Sequence, residues 1–486
     1  MVRMSSLKRI WNMPSIYQKN WSGIVIDTVA FEEERWKIQV TKIGIIEKIG
    51  FALTNLGNIP IMTLLNTYLL IFYTDVVGID PAIVGTLFLI SRLLDGVSDP
   101  LLGFLIDRFP RTKIGKYKPI LIAGSLICCL NYLLVWFSPL LFEGQKILAI
   151  SFSYILLGIT FDLMDIPLNS LIPVLTTQES ERNILSSIKG ISYTVGPTLL
   201  NIAAPLILAN NSSKISGYLI LIVGTVIVVA FFTIVGTLTL KERVIEHMEP
   251  SKSKKKHYSI KDALKILKIK EVATLFISML FITAATNIFN GSLLYYLSYI
   301  IKEPRLLSLA SFIGLFGALG AGILVPSISK RIGKINLYTA ALVIISISML
   351  FLMAFKNLKL AFLIGYVLVQ FGLGFTNTLQ YSISADNVDI VRKKLGFEPA
   401  GLIASLNSLI MKFAMALGGA VPGFVLSYTG YVANKEQLNS ASVGIIVSTF
   451  AIPFVLYILT ILVFNYGFVF SKKKSLLKEK SNSPMA

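Results

Sequence analysis

Thiols, imidazoles and charge are all scarce in this chain. Among 486 residues there are two cysteines and two histidines, and only 15% of side chains are charged. Cys128 and Cys129 adjoin inside an apolar run. Neighbours on a helix point in different directions and sit badly for a disulfide, so both are read as small apolar fillers with no redox role. His247 and His257 fall in a polar stretch, which leaves no cluster spaced to hold zinc. A glycine-rich nucleotide loop and a Ser/His/Asp set are missing too, so neither enzyme chemistry nor a cofactor is expected. A basic start followed by an apolar core and a small-residue cleavage site is also lacking, so no signal peptide is read.

Long apolar runs are what the chain has in quantity. Apolar residues make up 54%, and the mean hydropathy is +0.73. Twelve helices of about 20 residues need about 240 residues, which this composition supplies with short loops left over. Run lengths place spans at 48–74, 82–106, 119–140, 147–175, 185–209 and 216–240, then at 272–300, 306–328, 335–355, 360–385, 400–428 and 441–470. The expectation is an all-α membrane protein with two six-helix halves, 45–240 and 272–470. Residues 1–44 carry no spanning run and read as a cytoplasmic extension. Residues 241–271 read as a cytoplasmic linker and 471–486 as a cytoplasmic tail.

Lys and Arg exceed Asp and Glu, giving a net charge of +19, but they lie in short loops between apolar spans rather than in one patch with interleaved aromatics. That distribution argues for membrane topology and against nucleic acid. Loops 107–118, 329–334 and 386–398, the linker and the tail hold most of the basic residues, whereas Asp75 to Asp80 has none. Both termini and the linker are therefore expected in the cytoplasm of a multi-pass plasma-membrane protein, which is read as a monomer in the lipid bilayer.

The second span interrupts this apolar pattern with Arg92, Asp95 and Asp99. A charge at the centre of a membrane helix costs about 2.5–3.5 kcal/mol on insertion scales, so the three put roughly 8–10 kcal/mol at stake unless they have partners. Asp95 and Asp99 are four apart and Arg92 three before Asp95, so all share one helix face. Two carboxylates a turn apart make an oxygen-rich place for a small cation. Span four adds Asp162 and Asp165, followed by Pro167, which frees a backbone carbonyl; span eleven adds Lys412. Four carboxylates against Arg92 and Lys412 leave an excess of two negative charges, which bound protons or a cation would balance.

The halves also echo each other. Gly103 to Asp107-Arg108, followed by Ile114-Gly115-Lys116, is matched by Gly322-Ile323-Leu324 and then Lys330-Arg331-Ile332-Gly333-Lys334. Six plus six helices with such a basic loop in each half resembles the build of major facilitator transporters, whose substrate lies near the midplane between bundles. Asp107, Arg108, Lys116, Lys330 and Arg331 are accordingly read as a cytoplasmic gate.

More specific is the resemblance carried by Phe72-Tyr73-Thr74-Asp75-Val76-Val77-Gly78, the Arg92/Asp95/Asp99-Pro100/Gly103 spacing, Gly115-Lys116-Tyr117-Lys118-Pro119 and Met164-Asp165-Ile166-Pro167. These are similar to the glycoside-pentoside-hexuronide:cation symporters, the melibiose permease family. Ala385-Asp386-Asn387-Val388-Asp389 and Gly401-Leu402-Ile403 extend the likeness into the second half.

The resemblance implies cation-coupled uptake of a glycoside, oligosaccharide or related sugar, with H⁺ or Na⁺ as coupling ion and no metal beyond that sodium. It places the cation on Asp95 and Asp99, with Ser98 and Asp162 beside them. Sugar contacts are expected from Asp165, Asn169, Asn58 and Asn407, and a charge network between halves from Arg92, Lys412 and Lys189. The chain departs from the pattern where Ile59 replaces a first-helix Asp, Asn169 an aromatic, Ser98 an Asn and Asp162 a Thr. A cavity lined by Ile59 would be less polar, which makes a carrier of amphipathic lipid or another non-sugar solute the alternative.

Overall fold

The computed structural model describes residues 42–211, 213–243, 265–395 and 400–469. Twelve membrane-length helices run through them: α1 Ile45–Asp75, α2 Pro81–Arg108, α3 Tyr117–Leu141, α4 Lys146–Asn169, α5 Glu179–Ala209, α6 Lys214–Thr239, α7 Lys270–Ile300, α8 Leu306–Ile332, α9 Lys334–Ala354, α10 Lys359–Leu395, α11 Ala400–Tyr428 and α12 Asn439–Gly467. Eleven have described stretches long and apolar enough to cross a membrane; α2, 28 residues long, is the helix that carries Arg92, Asp95 and Asp99. No extended strand occurs among the described residues.

Apolar run length marks the crossing but not the whole helix. Because the i→i−4 ladder continues wherever the backbone can pair, α5 starts at Glu179, ahead of its apolar run, with Glu179 and Glu181 favourably placed in its first turn. The loop expected at 386–398 is helical as far as Leu395. Lys330 and Arg331, expected in a loop, occupy the last turn of α8, where cations complement the helix dipole. The sequence echo is structural: Gly115 and Gly333 both take positive φ, +125° and +85°, just before α3 and α9. A Cβ there would be strained.

Helix pairings repeat with the number raised by six. α1 packs on α5 and α6 as α7 packs on α11 and α12; α3 packs on α4 and α6 as α9 packs on α10 and α12; α2 packs on α4 as α8 packs on α10. Between the halves, α2 meets α11 and α5 meets α8, which again is one pairing under the same rule. The charged face of α2 therefore stands on the seam between the two halves.

α2 and α11 are closest near the end that carries Asp75. There a Cβ on Gly85 would come within 2.9 Å of the Ala420 carbonyl oxygen, and one on Gly423 would overlap that of Pro81. Further along, Gly96 sees only Leu409 Cδ1 at 3.8 Å, and Gly103 has nothing within 4 Å. The helices are pressed together at the Asp75 end and diverge towards the basic end.

Candidate functional site between the two halves

Arg92 and Asp95 are both buried, and Arg92 Nη1 donates to Asp95 Oδ2 at 2.9 Å. The second guanidinium nitrogen rests on Met62 Sδ of α1 at 3.8 Å. The remaining carboxylate oxygen lies against Gly158 of α4, so closely that a Cβ at Gly158 would overlap it. Nothing in the sequence pattern singled out Gly158. Its missing side chain is what lets a charged group from α2 approach the α4 backbone.

One turn along, Asp99 of α2 and Asp162 of α4 meet the same cation. Lys412 of α11 donates to Asp99 Oδ2 and, at 3.4 Å, to Asp162 Oδ1. Asp99 Oδ1 and Asp162 Oδ2 are buried and accept no hydrogen bond among the described residues. Buried carboxylate oxygens without a donor are costly, and a proton or a small cation is what satisfies them. Ser98 sits beside them with its hydroxyl turned to the Asp95 carbonyl at 3.3 Å. The carbonyl freed by Pro167, that of Leu163, is not part of this site: Gly124 of α3 packs directly on it.

Asp165 belongs to a separate polar group. Asn58 Nδ2 of α1 donates to its Oδ1 at 3.3 Å and Asn169 Nδ2 to its Oδ2 at 2.7 Å, while Lys189 of α5 donates to Asn169 Oδ1. Lys189 thus answers one of the carboxylates, and four carboxylates with Arg92, Lys412 and Lys189 leave an excess of one negative charge, not two. One monovalent cation would neutralise it. Ile59 does not line a cavity: it is buried and packs on Gly196 of α5. Asn58, its neighbour, is the residue that reaches Asp165.

In the second half, Asn407 Nδ2 of α11 donates to Ser384 Oγ of α10 at 3.3 Å, and its Oδ1 is buried without a partner among the described residues. A further residue lies on the same face of α10. Asn377 is two turns from both Ser384 and Gln370 and is exposed. Ile364 and Leu368, exposed at 47% and 41%, lie about 180–220° round the helix from it. That apolar side suits lipid, and Asn377 lies on the opposite side of α10. A polar residue exposed in mid-helix on the face away from lipid is the signal that could have found it.

The gate residues are placed only in part. The Asp107 side chain lies outside the described residues. The Arg108 guanidinium stacks on the Phe104 ring at 3.8 Å, the Lys116 ammonium lies 5.3 Å from the Tyr117 ring centroid, and Lys330 and Arg331 are exposed. The sequence reading missed Glu242. Its carboxylate accepts from the backbone N–H of Lys116 at 2.7 Å and of Tyr117 and Lys118 at 2.9 Å, satisfying the open N-terminus of α3. Beside it Arg243 pairs with Glu47 at 2.5 Å, and this hydrogen-bonded carboxylate raises the Arg243 pKa above its usual value.

The sequence model of the family described as MFS/sugar transport protein matches residues 50–466, nearly the whole helical region. The chain belongs to this family. Among relatives of this MFS sugar-transport chain, the isoprimeverose transporter of Lactiplantibacillus pentosus is 32% identical over 406 residues, covering 81% of this chain and 82% of that protein. The uncharacterized symporter YnaJ of Bacillus subtilis is 28% identical, covering 91% and 96%, and a putative glycoside/cation symporter of Escherichia coli, YagG, is 28% identical, covering 82% and 86%. Solved structures of similar fold include a mutant of the nucleoside transporter NupG, with TM-score 0.60 at 17% identity over 87% of this chain and 100% of that one. Another is a bacterial homologue of the lysosomal transporter Spinster, with TM-score 0.61 at 12% identity over 87% and 96%. The MFS fold and the glycoside:cation symporter resemblance both stand.

Proposed function

We infer that this MFS protein is a secondary transporter that moves a glycoside, oligosaccharide or related sugar together with a cation by alternating access. The observation that carries the reading is Lys412, on the second half, held by Asp99 and Asp162 of the first, next to buried carboxylate oxygens that lack donors. Asp95, Asp99 and Asp162, with Ser98 at their side, take the cation. Asp165, Asn58, Asn169, Asn407 and Asn377 offer the sugar a ring of acceptors and donors, and Lys189 with Arg92 and Lys412 balances the charge. The third carboxylate, Asp162, favours H⁺ over Na⁺ as coupling ion, because protonation relieves crowded carboxylates without needing a full cage of oxygen ligands.

Sugar uptake into energised membrane vesicles, measured across a panel of glycosides with pH and Na⁺ varied, tests this reading. Accumulation that collapses when the proton gradient is dissipated is expected; accumulation indifferent to both cations overturns it. The lipid-carrier alternative loses its support, since Ile59 packs into the first-half core instead of lining the path. Orientation follows the basic loops, with the linker between the two six-helix halves, the 1–44 extension and the tail in the cytoplasm of a plasma-membrane monomer. Labelling of a Ser253→Cys variant by an impermeant reagent added outside cells would overturn that orientation.

A further inference from the structure

Asp75, at the last turn of α1, is buried at the seam between the halves, and no lysine or arginine among the described residues pairs with it. Hydroxyl groups hold it instead. Tyr431 donates to Oδ1 at 2.5 Å and Tyr299 to Oδ2, both from the opposite half. Thr74 donates to Oδ1 at 2.8 Å and is itself linked to Tyr295 of α7 at 2.8 Å. Asn434 closes the group, its side chain on the Asp75 backbone carbonyl at 2.6 Å and its N–H on the Tyr299 oxygen at 3.0 Å. The three tyrosines brace one another: the rings of Tyr295 and Tyr299 each meet that of Tyr431 edge-on at 5.3 Å.

We propose that this Asp75 cluster is the latch that holds the transporter shut at its non-basic end, and that its strength sets how often that end opens. Three features support this. The cluster lies at the end where α2 and α11 are pressed together and is remote from the basic end, where they diverge. The bonds of Tyr431, Tyr299 and Asn434 to Asp75 and of Tyr295 to Thr74 cross between halves, whereas Thr74 to Asp75 and the Asn434 N–H to Tyr299 lie within one half; the crossing bonds must break when the halves rock apart. The donors to the carboxylate are neutral hydroxyls, so the bonds can be surrendered without leaving a buried, unpaired cation on the other half. α1 also carries Asn58 of the sugar group, so the helix that reaches the sugar ends in the latch. Between them lies a π-helical turn, Leu65–Leu69, a feature that often marks a place where a helix adjusts.

The proposal concerns opening, and its test needs no substrate, so its outcome is independent of the symporter reading. Ala420, 2% exposed at the α2–α11 contact, is changed to cysteine in a background with the two buried native cysteines replaced by serine. The purified protein in detergent is treated with a bulky polar maleimide. Tyr431→Phe and Tyr299→Phe keep the rings and remove the latch hydroxyls. Each is expected to raise the labelling rate about three- to tenfold, and together they should raise it further. Tyr338→Phe, which deletes a buried hydroxyl that bonds nothing among the described residues, serves as control and should leave the rate unchanged. Unchanged labelling in both latch variants, or an equal rise in the control, overturns the proposal.

Discussion

Asp165 and the Asp95/Asp99 pair are all carboxylates at membrane depth, yet their partners differ in kind. Asp165 is held by two amides, which leave lone pairs for a further donor, whereas Asp99 and Asp162 are held by an ammonium. Asp165→Asn therefore removes a charge-assisted acceptor from the proposed sugar group. Sugar affinity should fall about ten- to hundredfold, equivalent to roughly 1.5–3 kcal/mol, with or without the cation, in equilibrium binding by calorimetry. Gly158 sits on the other side of this division. Gly158→Ala pushes a methyl into the Asp95 carboxylate, an overpacking that costs about 1–3 kcal/mol. Since Asp95 belongs to the proposed cation group, the expected result is a loss of about tenfold in cation affinity, with sugar binding in the absence of cation nearly unchanged. An equal loss of both would show that Gly158 supports only the packing of α4.

Elements were legible wherever the apolar run and the helix coincide, and less so where the helix outruns the membrane. The second helix was readable because its charges repeat at three and four residues, which fixes one face whatever the surroundings. The ends of α5, α8 and α10 were not, since polar residues such as Glu179 and Arg392 form helix as readily as loop in water. Partners distant in sequence were also hidden. Nothing local ties Glu242 to the start of α3, more than a hundred residues away, yet its carboxylate is the cap of that helix. Glu242→Ala should expose three N–H groups and cost about 1–3 kcal/mol, read as a lower Tm of the purified protein. Glu242→Gln, which keeps one acceptor oxygen, should lose less.

At the scale of the whole molecule, the site is where the two halves meet, and coupling is a statement about both at once. If cation and sugar stabilise conformations shared by the same pair of bundles, each must raise the affinity of the other by the same factor. Lys412 makes that meeting concrete: held by Asp99 and Asp162, it ties the second half to the first. A cation taken by those carboxylates would weaken the tie and alter the relation of α11 to α2. Asp99→Asn and Asp95→Asn should therefore remove the cation's effect on sugar affinity and abolish accumulation against a gradient, while exchange of sugar down its gradient persists. Calorimetric titration of sugar at several cation concentrations, alongside vesicle uptake, measures both quantities. If Asp95→Asn and Asp99→Asn kept the cation's effect on sugar binding and full accumulation, the α2 carboxylates would be structural. The excess negative charge at the seam would then need another role than holding a coupling ion.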